Sequence, residues 1–165
     1  MASDIFLKIG DIKGESLDSK HKDEIDVMSF SWGVTQTGTG AFGGGGGAGA
    51  GKAQFNDFHF SSKTNKASPK LFLACASGEH IKDATLSVRR GSESGQSQGD
   101  YLIIKMNDVL ISSYQTGGSA QEDRPTDQVS MNFAKIEFTY KPQKADGSLD
   151  AGITAGWDLK NHVKL

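Results

Sequence analysis

The stretch GGAGAGKAQFNDFHFSS, Gly46 to Ser62, admits two readings that lead to different folds. Gly46, four further residues and then Gly51-Lys52 match the opening of the phosphate-binding pattern G-x-x-x-x-G-K-[ST]. That chemistry needs a hydroxyl after the lysine for Mg²⁺, and a helix whose N-terminus receives the phosphates. Ala53 stands where the hydroxyl is required. From Lys52 onward polar and apolar residues alternate, with one slip at Asn56-Asp57. Period two belongs to a strand, and a slip within it reads as a bulge. The stretch is therefore read as a glycine-dense loop entering a bulged strand over 52–61, with no nucleotide site.

Outward from this stretch the strand signal recurs. In Asp4–Asp11, Ile5, Leu7 and Ile9 share one face. A second strand is expected over Glu24–Gln36, where the apolar set moves from Ile25 and Val27 to Met28, Phe30, Trp32 and Val34. Such a change of face implies a bulge, a bend or burial on both sides. Further strands are expected around Ala84–Val88, over the long run YLIIKMNDVLISSYQTGG, and over QVSMNFAKIEFTYKPQ. The one helix signal is SPKLFLACASG: Ser68 as N-cap, Pro69 at the first helical position, and Gly78 as the stop. Its residues are apolar nearly all round, which predicts a largely buried helix. Many antiparallel strands and one short helix predict a mainly β chain, a barrel or a sandwich with a plugging helix. Strands apolar on both faces predict that other subunits cover part of the outer surface.

Composition narrows the function classes. The 165 residues suit a single domain spanning 1–165. A formal charge of −2 gives no global electrostatic case for nucleic acid. Cys75 is the single cysteine, so no intrachain disulfide forms. No run approaches the length of a membrane span, so no membrane insertion is expected. The N-terminus lacks a secretory pattern, so export would have to proceed without a cleaved signal peptide. His21, His59, His80 and His162 show no ligand spacing, so no metal is expected, and Cys75 reads as a core residue rather than a nucleophile. No catalytic residues and no cofactor are assigned, and an enzyme is not supported. Glu122, Asp123 and Arg124 read first as a solvated loop and second as an inter-subunit ion pair. Arg89-Arg90 reads as a strand end facing water.

Several segments in order resemble the haemolysin-coregulated protein (Hcp) family of type VI secretion systems. They are DIFLKIGDIKGES, EIDVMSFSWGVTQ with Trp32-Gly33, Phe58-x-Phe60 before TNKASPKLFLACASGEH, QTGGSAQEDRPTDQVSMNFAKIEFTYKPQKADGS, and Gly156-Trp157. The resemblance implies an antiparallel β-barrel flanked by one short helix, with extended loops, assembled as a hexameric ring. It further implies that rings stack head-to-tail into the inner tube of a contractile injector, wrapped by a sheath, capped by a spike and carrying small effector proteins in the lumen. The protein would be cytoplasmic before export and secreted through that system. The competing reading is a monomeric ligand-binding β-barrel. Within the tube reading, Ser29 and Ser31 alternate against Phe30 and Trp32 and are expected to face the channel. Gly43, Gly44, Gly45, Gly46 and Gly47 are expected to form a ring-stacking arm, mobile over Gly38–Gly51 in an isolated ring, with Lys52 fixing its exit.

Overall fold

The computed structural model of the chain describes residues 3–38, 50–90 and 99–165. It contains twelve strands and one helix. They are β1 (Ser3–Ile9), β2 (Ile25–Asp26), β3 (Ser29–Ser31), β4 (Val34–Gly38), β5 (Ala50–Phe55), β6 (Phe58–Lys63), α1 (Ser68–Ser77), β7 (His80–Arg90), β8 (Asp100–Gly117), β9 (Thr126–Asn132), β10 (Lys135–Tyr140), β11 (Ile153–Asp158) and β12 (Val163–Lys164).

The architecture is mainly β and its ladders are antiparallel. The 18-residue β8 is the spine. Its first half lies between β7 and β10, and its second half pairs with β9. From there one arm runs β7–β1–β2, another β10–β11–β12, and a third β9–β6–β3. Two strands, and the passage from β9 to β10, change face at one level. Core residues are Val109 and Ile111 on one side of Asp108 but Ile104 and Met106 on the other. The same change occurs between Ile81 and Ala84 in β7, and between Met131 and Ile136 across Phe133-Ala134. Asp108 takes a left-handed φ of 54° at this line. The sheet thus folds over so that both halves turn apolar sides onto one core of Leu7, Ile25, Phe58, Phe60, Leu86, Ile104, Met106 and Met131. Burying one such side chain contributes about 1.5–3 kcal/mol.

Three expectations need correction. The strand over Glu24–Gln36 is not continuous: it is β2, β3 and β4, broken at Val27-Met28 and at Trp32-Gly33. At the first break Val27 N donates to Ile5 O of β1 (2.9 Å) and Met28 N donates to Ser61 O of β6 (2.8 Å). The segment crosses from one arm to the other without a continuous ladder, so the sheets do not close into a barrel. Likewise the bulged strand over 52–61 is two strands in different sheets, since among the described residues β5 pairs only with β4 as a separate ribbon while β6 joins β3 and β9. The β3–β4 and β5–β6 segments turn the corner together: Asn56 N donates to Gly33 O (2.9 Å), and a Cβ on Gly33 would lie 3.4 Å from the Asn56 side-chain amide nitrogen.

The third correction concerns α1. Ala67, not Ser68, occupies the cap position, in a helical conformation and without a side-chain cap bond. The Ser68 hydroxyl is used elsewhere: it donates to Asp127 Oδ2 at 2.5 Å and accepts from Asn65 N at 2.9 Å. Only Ser68, Leu71 and Ala74 of the helix are buried, while Phe72 and Leu73 are 58% and 61% exposed. The helix packs by one stripe against β8, and its apolar outer side faces solvent. Gly78 ends it as expected, at φ 67°, with Glu79 N donating to Ala74 O.

Candidate functional site

β3, β6, β9 and the second half of β8 form a four-stranded sheet with two unlike faces. Rows Phe30–Phe60–Val129–Tyr114 and Phe58–Met131–Ile111 point to the core. The alternate rows are Ser29–Ser61–Gln128–Gln115 and Ser31–His59–Ser130–Ser113. This second face carries hydroxyl and amide groups and one imidazole, with no carboxylate and no lysine or arginine in either row. Ser29 and Ser31 are exposed on it, opposite the half-buried Phe30. Hydroxyls interlock on this face: Ser29 Oγ lies 2.5 Å from Ser61 Oγ, and Ser130 Oγ lies 2.5 Å from His59 Nδ1.

Both edges of this sheet lack a ladder partner among the described residues. β3 pairs with β6 alone. β8 beyond Leu110 pairs with β9 on one edge, and the ladder to β7 stops at His80–Leu110. Exposed rows of backbone N–H and C=O groups are templates for another chain.

A second surface lies on the core side of the β10–β11 arm. The apolar row of β8 continues outward through Ile136, Phe138 and Tyr140 of β10 and through Trp157, Ala155 and Ile153 of β11. No described residue covers its outer end: Phe138, Tyr140 and Ile153 are 37%, 39% and 69% exposed. The base of the β4–β5 ribbon stands beside it and leaves a cleft of about 420 Å³. Trp32, Val34, Phe55, Phe138, Ala155 and Trp157 line the cleft, with the Trp32 and Phe138 rings 5.8 Å apart.

The remaining sequence candidates fall as follows. The region after Lys52 is strand β5, the opposite of the helix a phosphate loop needs. Gly43 to Gly47 lie outside the described residues, and the expected mobility of Gly38–Gly51 falls largely there too. Glu122, Asp123 and Arg124 are all exposed, and Arg124 Nη1 is 3.8 Å from Glu15 Oε2 of the same chain. Cys75 is half-buried beside the core.

Arg89 does not simply face water. Its side chain is 11% exposed, its guanidinium donates to Asp18 Oδ2 at 2.5 Å, and it lies 5.2 Å from the Phe6 ring centroid. The Arg89 hydrogen bond lowers the Asp18 carboxyl from 3.8 to about 2 against the opposing effect of burial. His21 stacks on Phe6 and touches carboxylates with both ring nitrogens, Nδ1 to Glu24 (2.6 Å) and Nε2 to Asp100 (3.0 Å). Sequence reasoning missed this cluster because Asp18, His21, Arg89 and Asp100 meet only through the fold. Among the described residues no group of three or more His, Cys, Asp or Glu side chains is placed to hold a metal ion. Among the same residues no helix is long and apolar enough to cross a membrane.

The protein-family comparison supplies the context for these surfaces. A family described as "Type VI secretion system effector, Hcp" matches residues 6–140. The chain is 48% identical to "Protein hcp1" of Pseudomonas aeruginosa over 165 residues, 99% of either chain. Among solved structures it is similar to a type six secretion system protein, with a TM-score of 0.89, 29% identity and coverage of 99% and 100%. It is also similar to Hcp1 from Salmonella typhimurium, with a TM-score of 0.78, 31% identity and full coverage of both chains. The chain therefore belongs to the Hcp family of type VI secretion proteins.

Proposed function

We propose that this chain is a structural subunit of a secretion tube, with residues 1–165 folded as one domain, and not an enzyme. Six copies form a ring, and rings stack head-to-tail inside a sheath and behind a spike. The number six comes from the family resemblance. The observation that carries the ring is the pair of open edges on the β3–β6–β9–β8 sheet, which differ from each other. Unlike edges favour a head-to-tail contact, and such contacts close into rings when the rotation permits. Joining β3 of one copy to the end of β8 in the next would extend one sheet around the ring and bridge the gap left in each separate chain.

In that arrangement the face bearing Ser29 and Ser31, whose two central rows carry no charge and which is bordered by Lys63 and Asp57, lines the lumen and meets effector proteins. Glu122, Asp123 and Arg124 are candidates for contacts between subunits, and Gly43 to Gly47 for contacts between rings. The protein is made in the cytoplasm and leaves through the secretion apparatus itself.

Light scattering on the purified protein tests the ring. A cyclic hexamer is expected at about 106 kDa, six times the 17.6 kDa chain. A monomer at micromolar concentration would overturn it. That result would favour the competing reading, a monomeric ligand-binding protein using the apolar cleft at Trp32 and Phe138.

A further inference from the structure

Each open edge of the four-stranded sheet has an apolar patch beside it, and both patches lie on the same side. At the β8 edge the patch is on α1. Tyr114 belongs to the core-facing row, and the Phe72 ring meets it edge-on at 6.4 Å, so the helix covers that side of β8. Beyond this contact Phe72 and Leu73 project into solvent, 58% and 61% exposed. At the β3 edge the patch is the cleft. Trp32 follows Ser31 directly, packs against the core on the side of Phe30, and forms the cleft wall with Val34, Phe55 and Phe138. One patch is convex and the other concave. Neither is self-complementary, as a two-fold contact would require.

The geometry points to a specific occupant for the cleft. We propose that Phe72 and Leu73 of α1 in one copy pack into the Trp32–Val34–Phe55–Phe138 cleft of the next copy. This rests on the ring reading above. When the β3 edge meets the end of β8, shared sidedness places the neighbour's helix over the cleft. Burial of two large side chains on each side of every contact adds a desolvated apolar centre to an otherwise hydrogen-bonded edge. It also explains why a short helix keeps bulky apolar residues on its solvent side, where a monomer gains nothing from them.

Crosslinking tests the contact at exposed positions, which leaves the fold of each chain intact. In a Cys75→Ser background, Val34→Cys and Leu73→Cys are made singly and together. Co-expression of the two single variants, followed by mild oxidation, is expected to give a disulfide-linked pair near twice the chain mass. The double variant is expected to give a ladder ending in a closed, covalent ring. Phe72→Asp is expected to weaken assembly at least tenfold while the far-UV circular dichroism of the chain persists. An oligomer by light scattering with no 34–73 link in either arrangement would overturn the contact and leave the ring standing. So would links formed equally well by one single variant alone, because a like-to-like contact is not head-to-tail. A monomeric parent protein would overturn the contact and the ring together.

Discussion

At the scale of single residues, two carboxylates do different structural work. Asp18 sits at the chain's surface fold around Phe6, with Arg89 donating to it and the backbone N–H groups of Lys20 and His21 reaching its Oδ1. These donors favour the ionised form, so the folded carboxyl titrates at about 2 rather than 3.8. A group held down in this way stabilises the fold above its ordinary value and loses that contribution as pH falls from about 4 to about 2. Urea unfolding across this window should show the parent losing more stability than Asp18→Asn; parallel curves would remove Asp18 from the account. Asp127 is fully buried and forms no ion pair among the described residues. It accepts from Thr64 Oγ1 (2.8 Å) and Ser68 Oγ (2.5 Å), tying the entry of α1 to β9. Asp127→Ala would strand two hydroxyls and is expected to cost about 2–4 kcal/mol. At about 2–4 °C per kcal/mol for a chain of this size, thermal unfolding resolves the effect. A change below about 1 °C would mean that water replaces the carboxylate.

Elements were legible in the sequence where periodicity was simple and misleading where it changed. β1, the end of α1 at Gly78 and the span of β8 follow directly from alternation and glycine placement. The shifts of face in Glu24–Gln36 and Gln128–Gln143 were visible, but the sequence could not separate a bulge from a strand break or from a fold line. The line through Asp108 is set by β7, β8 and the β9–β10 passage turning together, and each segment alone shows only its own shift. Ser68 looked like a cap because serine favours that role, yet a buried acceptor 59 residues away claims its hydroxyl. The glycine-dense segment is the clearest case of local chemistry without visible context. It joins β4 to β5, a two-stranded ribbon standing apart from the main sheet. Such a ribbon is marginal by itself and gains from a partner. Ordering many glycines is entropically costly, so contacts made through them are weak and reversible. Shortening Gly43–Gly47 is therefore expected to leave ring mass unchanged while tube assembly and secretion fall. Secretion-competent tubes from the shortened chain, or loss of the ring itself, would assign the segment another role.

For the whole molecule, the distribution of charge is the most informative feature. The chain carries 18 basic and 20 acidic residues, yet none enters the two partly exposed rows that hold Ser29 and Ser31. A passage for protein cargo has to hold its load and then let it go. Ion pairs would tie retention to the charge of each cargo and to ionic strength. Hydroxyl and amide groups offer neutral hydrogen bonds worth about 0.5–1.5 kcal/mol each, enough to retain a cargo through many contacts and weak enough for any one to exchange. Ser31 tests this because it is exposed, belongs to one of the polar rows and contributes nothing to the core. Ser31→Gln adds bulk and an amide at this point without adding charge. Rings of unchanged mass are expected, with effector proteins retained several-fold less by the purified rings, and with the parent's retention holding between low and moderate salt. If retention by the parent collapses as salt rises, charged residues elsewhere carry the cargo. If Ser31→Gln retains effectors as the parent does, this face does not line their path.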